Sequence, residues 1–216
     1  MMQLKSILKN NTFFSLFIIY LIIGFYPATL SKLDFHLWFN QFHNKTLDII
    51  FPIITYLGDG LGWVIFCIIF LFISYKGSLL ILLSGALSGL ITQTLKRFVF
   101  NEFNRPTFYF KEDELSLVNG VENHLNFSFP SGHSTSAFAL FCALSLIINK
   151  PKISVAFFLL AFSASISRVY LHQHFFIDTY AGAIIGVGSA LLLYKIIWPK
   201  VNSNPKWGKS LLSLKK

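Results

Sequence analysis

Acidic residues are scarce in this chain. Nine carboxylates stand against eighteen Lys and Arg, and charged residues of both signs make up only 12% of the sequence. A water-soluble domain carries about a quarter of its residues as charges, so a surface wetted all round is excluded. Cysteine is scarcer still. Cys67 and Cys142 each sit inside an apolar run and read as small hydrophobes, which excludes a disulfide scaffold and a thiolate metal centre. No internal repeat is visible. What abounds is apolar: 54% of residues, with 25 phenylalanines, gathered in long blocks. Blocks of that length point to helices in a bilayer rather than to a soluble core.

The blocks predict an all-α integral membrane bundle of six transmembrane helices with a short interfacial helix after the first span. Thr12–Leu30 is the first span; it is long for a signal-peptide core and lacks a small-x-small cleavage site, so it reads as uncleaved. Ser31–Thr46 mixes Trp38, Phe39 and Phe42 with Asp34, His36, His43 and Lys45, the pattern of a helix lying at the interface. His36 and His43 read there as interfacial residues. Leu47–Leu57 is apolar but broken by Pro52 and then Gly58-Asp59-Gly60, a partly inserted segment leading to a second span at Leu61–Tyr75. Asp59 reads as a helix start. Lys76-Gly77-Ser78 reads as a tight turn. Further spans follow at Leu79–Leu95, Pro130–Ile148, Ile153–Ser167 and Phe175–Trp198. Gly85-x3-Gly89 and Gly182-x3-Gly186 read as sites of close helix approach. The organisation is a polar segment 1–11, a six-span domain 12–198 and a basic, flexible tail 199–216.

The formal charge of +9 is distributed unevenly. With the N-terminus in the cytoplasm, six crossings return the C-terminus there. The cytoplasmic pieces then hold eleven lysines and no acid; the other face holds seven basic residues and all nine acids. That is the positive-inside bias, so the charge reports topology and not a nucleic-acid footprint. Both termini are expected in the cytoplasm, with the polar clusters on the non-cytoplasmic face.

Three clusters carry chemistry, and ionisable residues at span ends are functional candidates by default. The first is Lys96, Arg97, Arg105 and Pro106. Arg binds a phosphate through paired hydrogen bonds and Lys as a point charge. The second is Pro130-Ser131-Gly132-His133, where proline opens a helix, Ser131 and Gly132 offer amides to an anion, and His133 stands ready to protonate a leaving oxygen. The third is Ser167-Arg168 with His172, His174 and Asp178. A helix from Phe175 puts His174 and Asp178 on one face, four residues apart. A carboxylate there orients the imidazole and makes it a better nucleophile. Asp178 is not so spaced from His172, which reads as a neighbour. His172-x-His174 has no carboxylate or Cys cluster to complete a metal site. His124 reads as a surface residue of the long loop.

These residues resemble the motifs of the type-2 phosphatidic acid phosphatase family, relatives of the vanadium haloperoxidases and glucose-6-phosphatase: Lys-x6-Arg-Pro, Pro-Ser-Gly-His and Ser-Arg-x5-His-x3-Asp. The second and third stand intact at Pro130–His133 and at Ser167-Arg168, His174 and Asp178. The first departs, because Lys96 and Arg105 enclose eight residues and Arg97 and Arg105 enclose seven; either cation can take the lysine's place. The resemblance implies a lipid-phosphate phosphatase that needs no cofactor or metal and works through a phosphohistidine. It makes His174 the nucleophile, Asp178 its partner and His133 the general acid, with Lys96, Arg105, Ser131, Gly132 and Arg168 holding phosphate. Implied substrates are membrane lipids such as phosphatidylglycerophosphate, phosphatidate, undecaprenyl pyrophosphate or lipid A. The resemblance also implies that the non-cytoplasmic face is the periplasmic face of a bacterial inner membrane. Two alternatives remain open: a phosphotransferase passing the group to another lipid, and a catalytically silent lipid-binding or transport protein.

Overall fold

The computed structural model describes residues 10–215, and among them every regular element is helical. Most of the segment expected at 1–11, with Lys5 and Lys9, lies outside the described residues, as does Lys216. The helices are α1 (Thr12–Thr29), α2 (Lys32–Asn40), α3 (Lys45–Ile54), α4 (Gly60–Ile73), α5 (Tyr75–Thr94), the single turn α6 (Pro106–Tyr109), α7 (Gly132–Ile148), α8 (Pro151–Tyr170) and α9 (Phe176–Asn202). Four helical stretches are long and apolar enough to cross a membrane: Thr12–Thr29, Tyr75–Val99, Pro151–Tyr170 and Phe176–Asn202. Lys45–Gly58 and Gly60–Ile73, bent by 56° at Asp59, make a fifth when taken as one broken span. Against the six spans expected, α7 is apolar but shorter, at 17 residues.

α7 is nevertheless the axis of the bundle. From Ala137 to Leu146 every side chain is buried, the signature of a helix surrounded by others. Its closest neighbour is α9. A Cβ on Gly182 would stand 2.7 Å from the Ser131 carbonyl oxygen, and one on Gly186 would strike the Thr135 carbonyl. Both glycines of that pair therefore serve backbone contact inside the chain. In the other pair Gly85 makes room for a side chain instead, the Trp63 indole lying where its Cβ would be, and Gly89 faces open space. The outer faces of α1 and α4 carry exposed Ile, Leu, Val and Phe, as lipid-facing surfaces would.

One end of the bundle is tied by Asn11, which caps α1. Its amide donates to the Ser145 carbonyl at 3.0 Å, its oxygen accepts from the Ser145 hydroxyl at 2.8 Å, and that hydroxyl meets Ser154 at the start of α8. The motif residues gather at the opposite end of α7.

Several expectations are corrected. Lys76-Gly77-Ser78 is not a turn: the chain breaks only at Ser74, and these residues form the first turns of α5. Gly77 is small because the Phe70 ring lies where its Cβ would be. The tail, expected to be flexible, carries regular structure as far as Lys215. α9 continues through Pro199 to Asn202, two further turns follow, and Tyr75 N–H donates to the Lys209 carbonyl at 2.9 Å. His36, expected to lie at the interface, is one of the most buried side chains among the described residues. Asp59 does start a helix, its carboxylate accepting from Gly60 N–H at 2.6 Å.

Candidate functional site

α5 does not stop cleanly. Its last turn widens into a π-turn at Leu95–Val99, closed by Phe100 N–H on the Leu95 carbonyl at 2.8 Å. Such turns re-aim side chains. Here the turn buries Lys96 and leaves Arg97 exposed, so the two cations of the first motif face different surroundings. Arg105 follows in the loop before α6, with Pro106 at the helix start. Its Nε donates to the Asn126 carbonyl at 2.9 Å.

Ser131 caps α7. Its amide, expected to offer an anion a hydrogen bond, is instead spent: it donates to the Asp178 carbonyl at 2.9 Å, binding the start of α7 to the start of α9. Ser134 N–H donates to Ser131 Oγ at 3.4 Å, which leaves the Gly132 and His133 amides without an acceptor among the described residues, unpaired N–H groups of the kind that bind anions. A Cβ on Gly132 would meet nothing within 4 Å, so the space above these amides is open.

Arg168 ends α8 and is buried. Its Nη1 donates to Thr55 Oγ1 at 2.9 Å, while its Nε is buried with no partner among the described residues. A buried guanidinium with an idle donor awaits an acceptor. The chain then folds back, with the Gln173 and His174 amides both donating to the Arg168 carbonyl, at 2.9 and 3.1 Å. Gln173 was not foreseen. Its Oε1 accepts from Arg105 Nη1 at 2.9 Å and from Arg168 Nη2 at 3.5 Å, and its amide nitrogen donates to the Glu122 carbonyl at 3.0 Å. One neutral side chain thus holds two guanidinium groups side by side.

His174 and Asp178 meet as expected, but for a different reason. The helix begins at Phe176, so His174 lies outside it. Asp178 reaches back to accept the Phe175 amide at 2.9 Å, an N-terminal cap, and His174 Nδ1 faces the same oxygen at 3.5 Å. Ser128, also unforeseen, completes the group. Its hydroxyl donates to that carboxylate oxygen at 2.5 Å and lies 3.5 Å from His174 Nδ1. With Nδ1 turned to the carboxylate, the lone pair left for chemistry is on Nε2.

The electrostatics bring the pieces together. Lys96, Arg105, Arg168 and His133 all act on His174, and the three cations act on His133. Burial first, and then these cations, hold the His174 imidazole well below the usual histidine range, so it stays neutral and nucleophilic at ordinary pH. Burying a charge carries a penalty of roughly several kcal/mol. Two of the three cations here are buried and they repel one another. Asp178 and Asp59 offset two of the charges, leaving an excess positive charge that favours a bound anion such as phosphate. His133, Arg168, Gln173 and Asp59 also line an open cavity of about 450 Å3.

Of the sequence-derived candidates, Lys96, Arg105, Ser131, Gly132, His133, Arg168, His174 and Asp178 all converge at this end of the bundle. His172 points elsewhere. Its Nδ1 lies 2.9 Å from His36 Nε2, its ring stacks on His43 with centroids 5.0 Å apart, and its Nε2 faces the Ser116 carbonyl at 3.2 Å. His124 is an exposed loop residue, as expected, on the rim of the cavity.

Comparison with known proteins points the same way. The chain is 38% identical over 84 residues to a lipid A 4'-phosphatase of Bacteroides thetaiotaomicron, covering 39% of this chain and 37% of that protein. It is 32% identical over 122 residues to a lipid A 1-phosphatase of Rhizobium johnstonii, covering 56% of this chain and 48% of that protein. The chain thus spans about half or less of the length of these curated relatives. The crystal structure of Aquifex aeolicus LpxE superposes with a TM-score of 0.69 at 27% identity, over 78% of this chain and 98% of that one. A PAP2-type phosphatidylglycerolphosphate phosphatase from Bacillus subtilis shares the fold, with a TM-score of 0.63 at 24% identity over 86% of this chain and 95% of that one. A family model described as the PAP2 superfamily matches residues 77–202, every motif residue included; the chain belongs to that superfamily.

Proposed function

We propose that the protein is a membrane lipid-phosphate phosphatase acting through a phosphohistidine on His174. The observation that carries this reading is the pairing of a neutral, buried imidazole, its Nδ1 turned to Asp178, with three cations and two unpaired amides at one end of the bundle. The phosphoryl group sits among Lys96, Arg105, Arg168 and the Gly132 and His133 amides. Binding of the phosphate dianion offsets the three cations around His133 and lets it take up a proton. His174 Nε2 then attacks phosphorus, the P–O bond to the lipid breaks, and the His133 imidazolium gives that proton to the departing oxygen. Asp178 stabilises the imidazolium that forms. Water then attacks the phosphorus–nitrogen bond, giving its proton to His133, and orthophosphate leaves with His174 neutral again. Charge stabilisation of the phosphoryl oxygens supplies most of the acceleration in such transfers, and each step uses groups of this chain. Ser131 acts by capping α7 and holding it to α9.

The membrane arrangement belongs to the same reading. α7, at 17 residues about 25 Å long, is the sixth crossing because its flanking helices enclose it, and α2 lies at the interface. The lysine bias puts the N-terminal end inside and the site on the periplasmic face of a bacterial inner membrane. The apolar outer surface suits a substrate whose tails remain in the bilayer. The lipid A phosphatases among the relatives make lipid A the first head group to try, followed by phosphatidylglycerophosphate, phosphatidate and undecaprenyl pyrophosphate.

The test is orthophosphate release from that panel by purified, detergent-solubilised protein. At least one lipid is hydrolysed, and His174→Ala removes the activity. Hydrolysis of none, with phosphate instead appearing on an acceptor lipid, identifies a phosphotransferase.

A further inference from the structure

Arg97 is the cation of the first motif that the reaction leaves unused. The π-turn directs Lys96 inward and Arg97 outward, yet both side chains line one cavity of about 550 Å3 with Gln93, Asn101 and Phe127. No carboxylate lines it, and neither Lys96 nor Arg97 forms an ion pair among the described residues. The cavity at the other side of the site is different in kind: Asp59 and Glu122 stand on its wall. An anion therefore meets no carboxylate on the Arg97 side, whereas on the other side Asp59 and Glu122 stand beside Arg168. Gln93 and Asn101 add neutral hydrogen-bond donors, and Lys96 is shared with the reaction cup.

We propose that this cavity is a second phosphate-group subsite, with Arg97 as its fork-shaped ligand and Gln93 and Asn101 as its neutral partners. The proposal rests on the phosphatase reading for the identity of the neighbouring cup. Its occupant is either a second phosphate carried by the lipid head group or orthophosphate on its way out, and the two are distinguishable. Because Lys96 borders both spaces, one cation would bridge the reacting phosphate and the second one.

The experiment is isothermal titration of the full detergent-solubilised chain with orthophosphate and, separately, with methylenediphosphonate, whose two phosphorus atoms are joined by carbon. Arg97→Ala is compared with wild type and with Lys45→Ala, which removes an exposed cation from the start of α3. If the site holds a head-group phosphate, Arg97→Ala weakens methylenediphosphonate about tenfold, the effect of one charge-assisted contact, and leaves orthophosphate within about twofold. If it holds departing phosphate, wild type binds two orthophosphates and Arg97→Ala binds one. The proposal is overturned if Arg97→Ala reproduces both wild-type titrations, or if Lys45→Ala weakens methylenediphosphonate equally. Neither titration requires turnover, so failure here leaves lipid hydrolysis standing, and absence of hydrolysis leaves the titrations decisive.

Discussion

His172 and His174 stand two residues apart and live in different surroundings. His174 turns toward Asp178, Ser128 and the three cations. His172, held in the left-handed backbone region at φ 54, turns the opposite way. There His43 stacks between it and Tyr170, and Asp48 accepts the Tyr170 hydroxyl at 2.5 Å. His36 closes the group, its Nδ1 without a partner among the described residues. Both imidazoles are buried and both are held neutral: burial and the neighbouring histidines bring His36 down to about 3, and burial brings His172 to about 4. Being a neutral histidine is therefore not what sets the proposed nucleophile apart. What separates the two is an anion to stabilise the imidazolium on one side and cations to hold a phosphate on the other. His174 has both, whereas His172 has other histidines and a carbonyl. The histidine stack is scaffolding: it fixes the peptide that carries Gln173 and His174, and it anchors the long loop at Ser116.

The largest effect expected from breaking this contrast is on turnover. His174→Ala should lower kcat by at least about a thousandfold, whereas His172→Gln, with a donor and an acceptor retained, should keep kcat within about threefold. Comparable losses in the two variants would erase the distinction. Asp178→Asn comes next, with a loss in kcat of about a hundredfold or more and little change in KM, because the carboxylate acts on the imidazolium that forms during attack.

Gln173→Ala should act differently, since it touches neither imidazole. Releasing Arg105 and Arg168 from their shared acceptor should raise KM about tenfold with a smaller change in kcat, and Gln173→Glu should be worse than alanine at high pH because it pins both guanidinium groups. Equal falls in kcat for Gln173→Ala and Asp178→Asn would refute the separate role.

Two pH measurements sharpen the comparison further. Cations near His174 disfavour its protonated form, so the acid limb of kcat/KM, which reports the free enzyme, should lie below the ordinary histidine value near 6.5. Lys96→Gln removes one of those cations and should move that limb upward. A limb that moves down, or stays, contradicts the electrostatic account. The smallest effect concerns stability. In the unfolded chain His36 and His172 take protons near pH 6.5; in the fold they take them only at about 3 and 4. The folded state thus binds fewer protons between these limits, and stability is full above pH 6.5 and declines as the pH falls below it. Melting temperature should drop from pH 7.5 to pH 5, and His36→Leu should flatten that slope. An unchanged slope would show that the stack does not set it.

Much of the site was legible because its chemistry resides in short strings. Pro130–His133 and Ser167–Asp178 announce an anion site and an imidazole–carboxylate pair from residue type and spacing alone. What escaped depends on contacts between distant parts of the chain. Gln173 reads as an ordinary loop residue until Arg105, 68 positions away, arrives on its amide oxygen. Ser131 reads as a free amide because nothing local reveals that the Asp178 carbonyl will take it. The same limit governs the fold. Lys76-Gly77-Ser78 has the composition of a turn, but its glycine answers to the Phe70 ring and the backbone stays helical. His36 has the look of an interfacial residue because its burial is created by His172, Phe110 and Phe175, none of them near it in sequence. The long spans are readable from apolar length, whereas the bend at Asp59 and the shortness of α7 depend on packing that apolar length does not report.

The most direct measurement is to quench the reaction with alkali during a single turnover, when phosphohistidine survives, and to map the phosphorylated peptide by mass spectrometry. The account predicts one phosphate on His174, absent from His174→Ala and accumulating when His133 is replaced by Asn with a substrate whose leaving group needs no proton. Phosphate on His172, or full turnover with no labelled histidine at all, would contradict it.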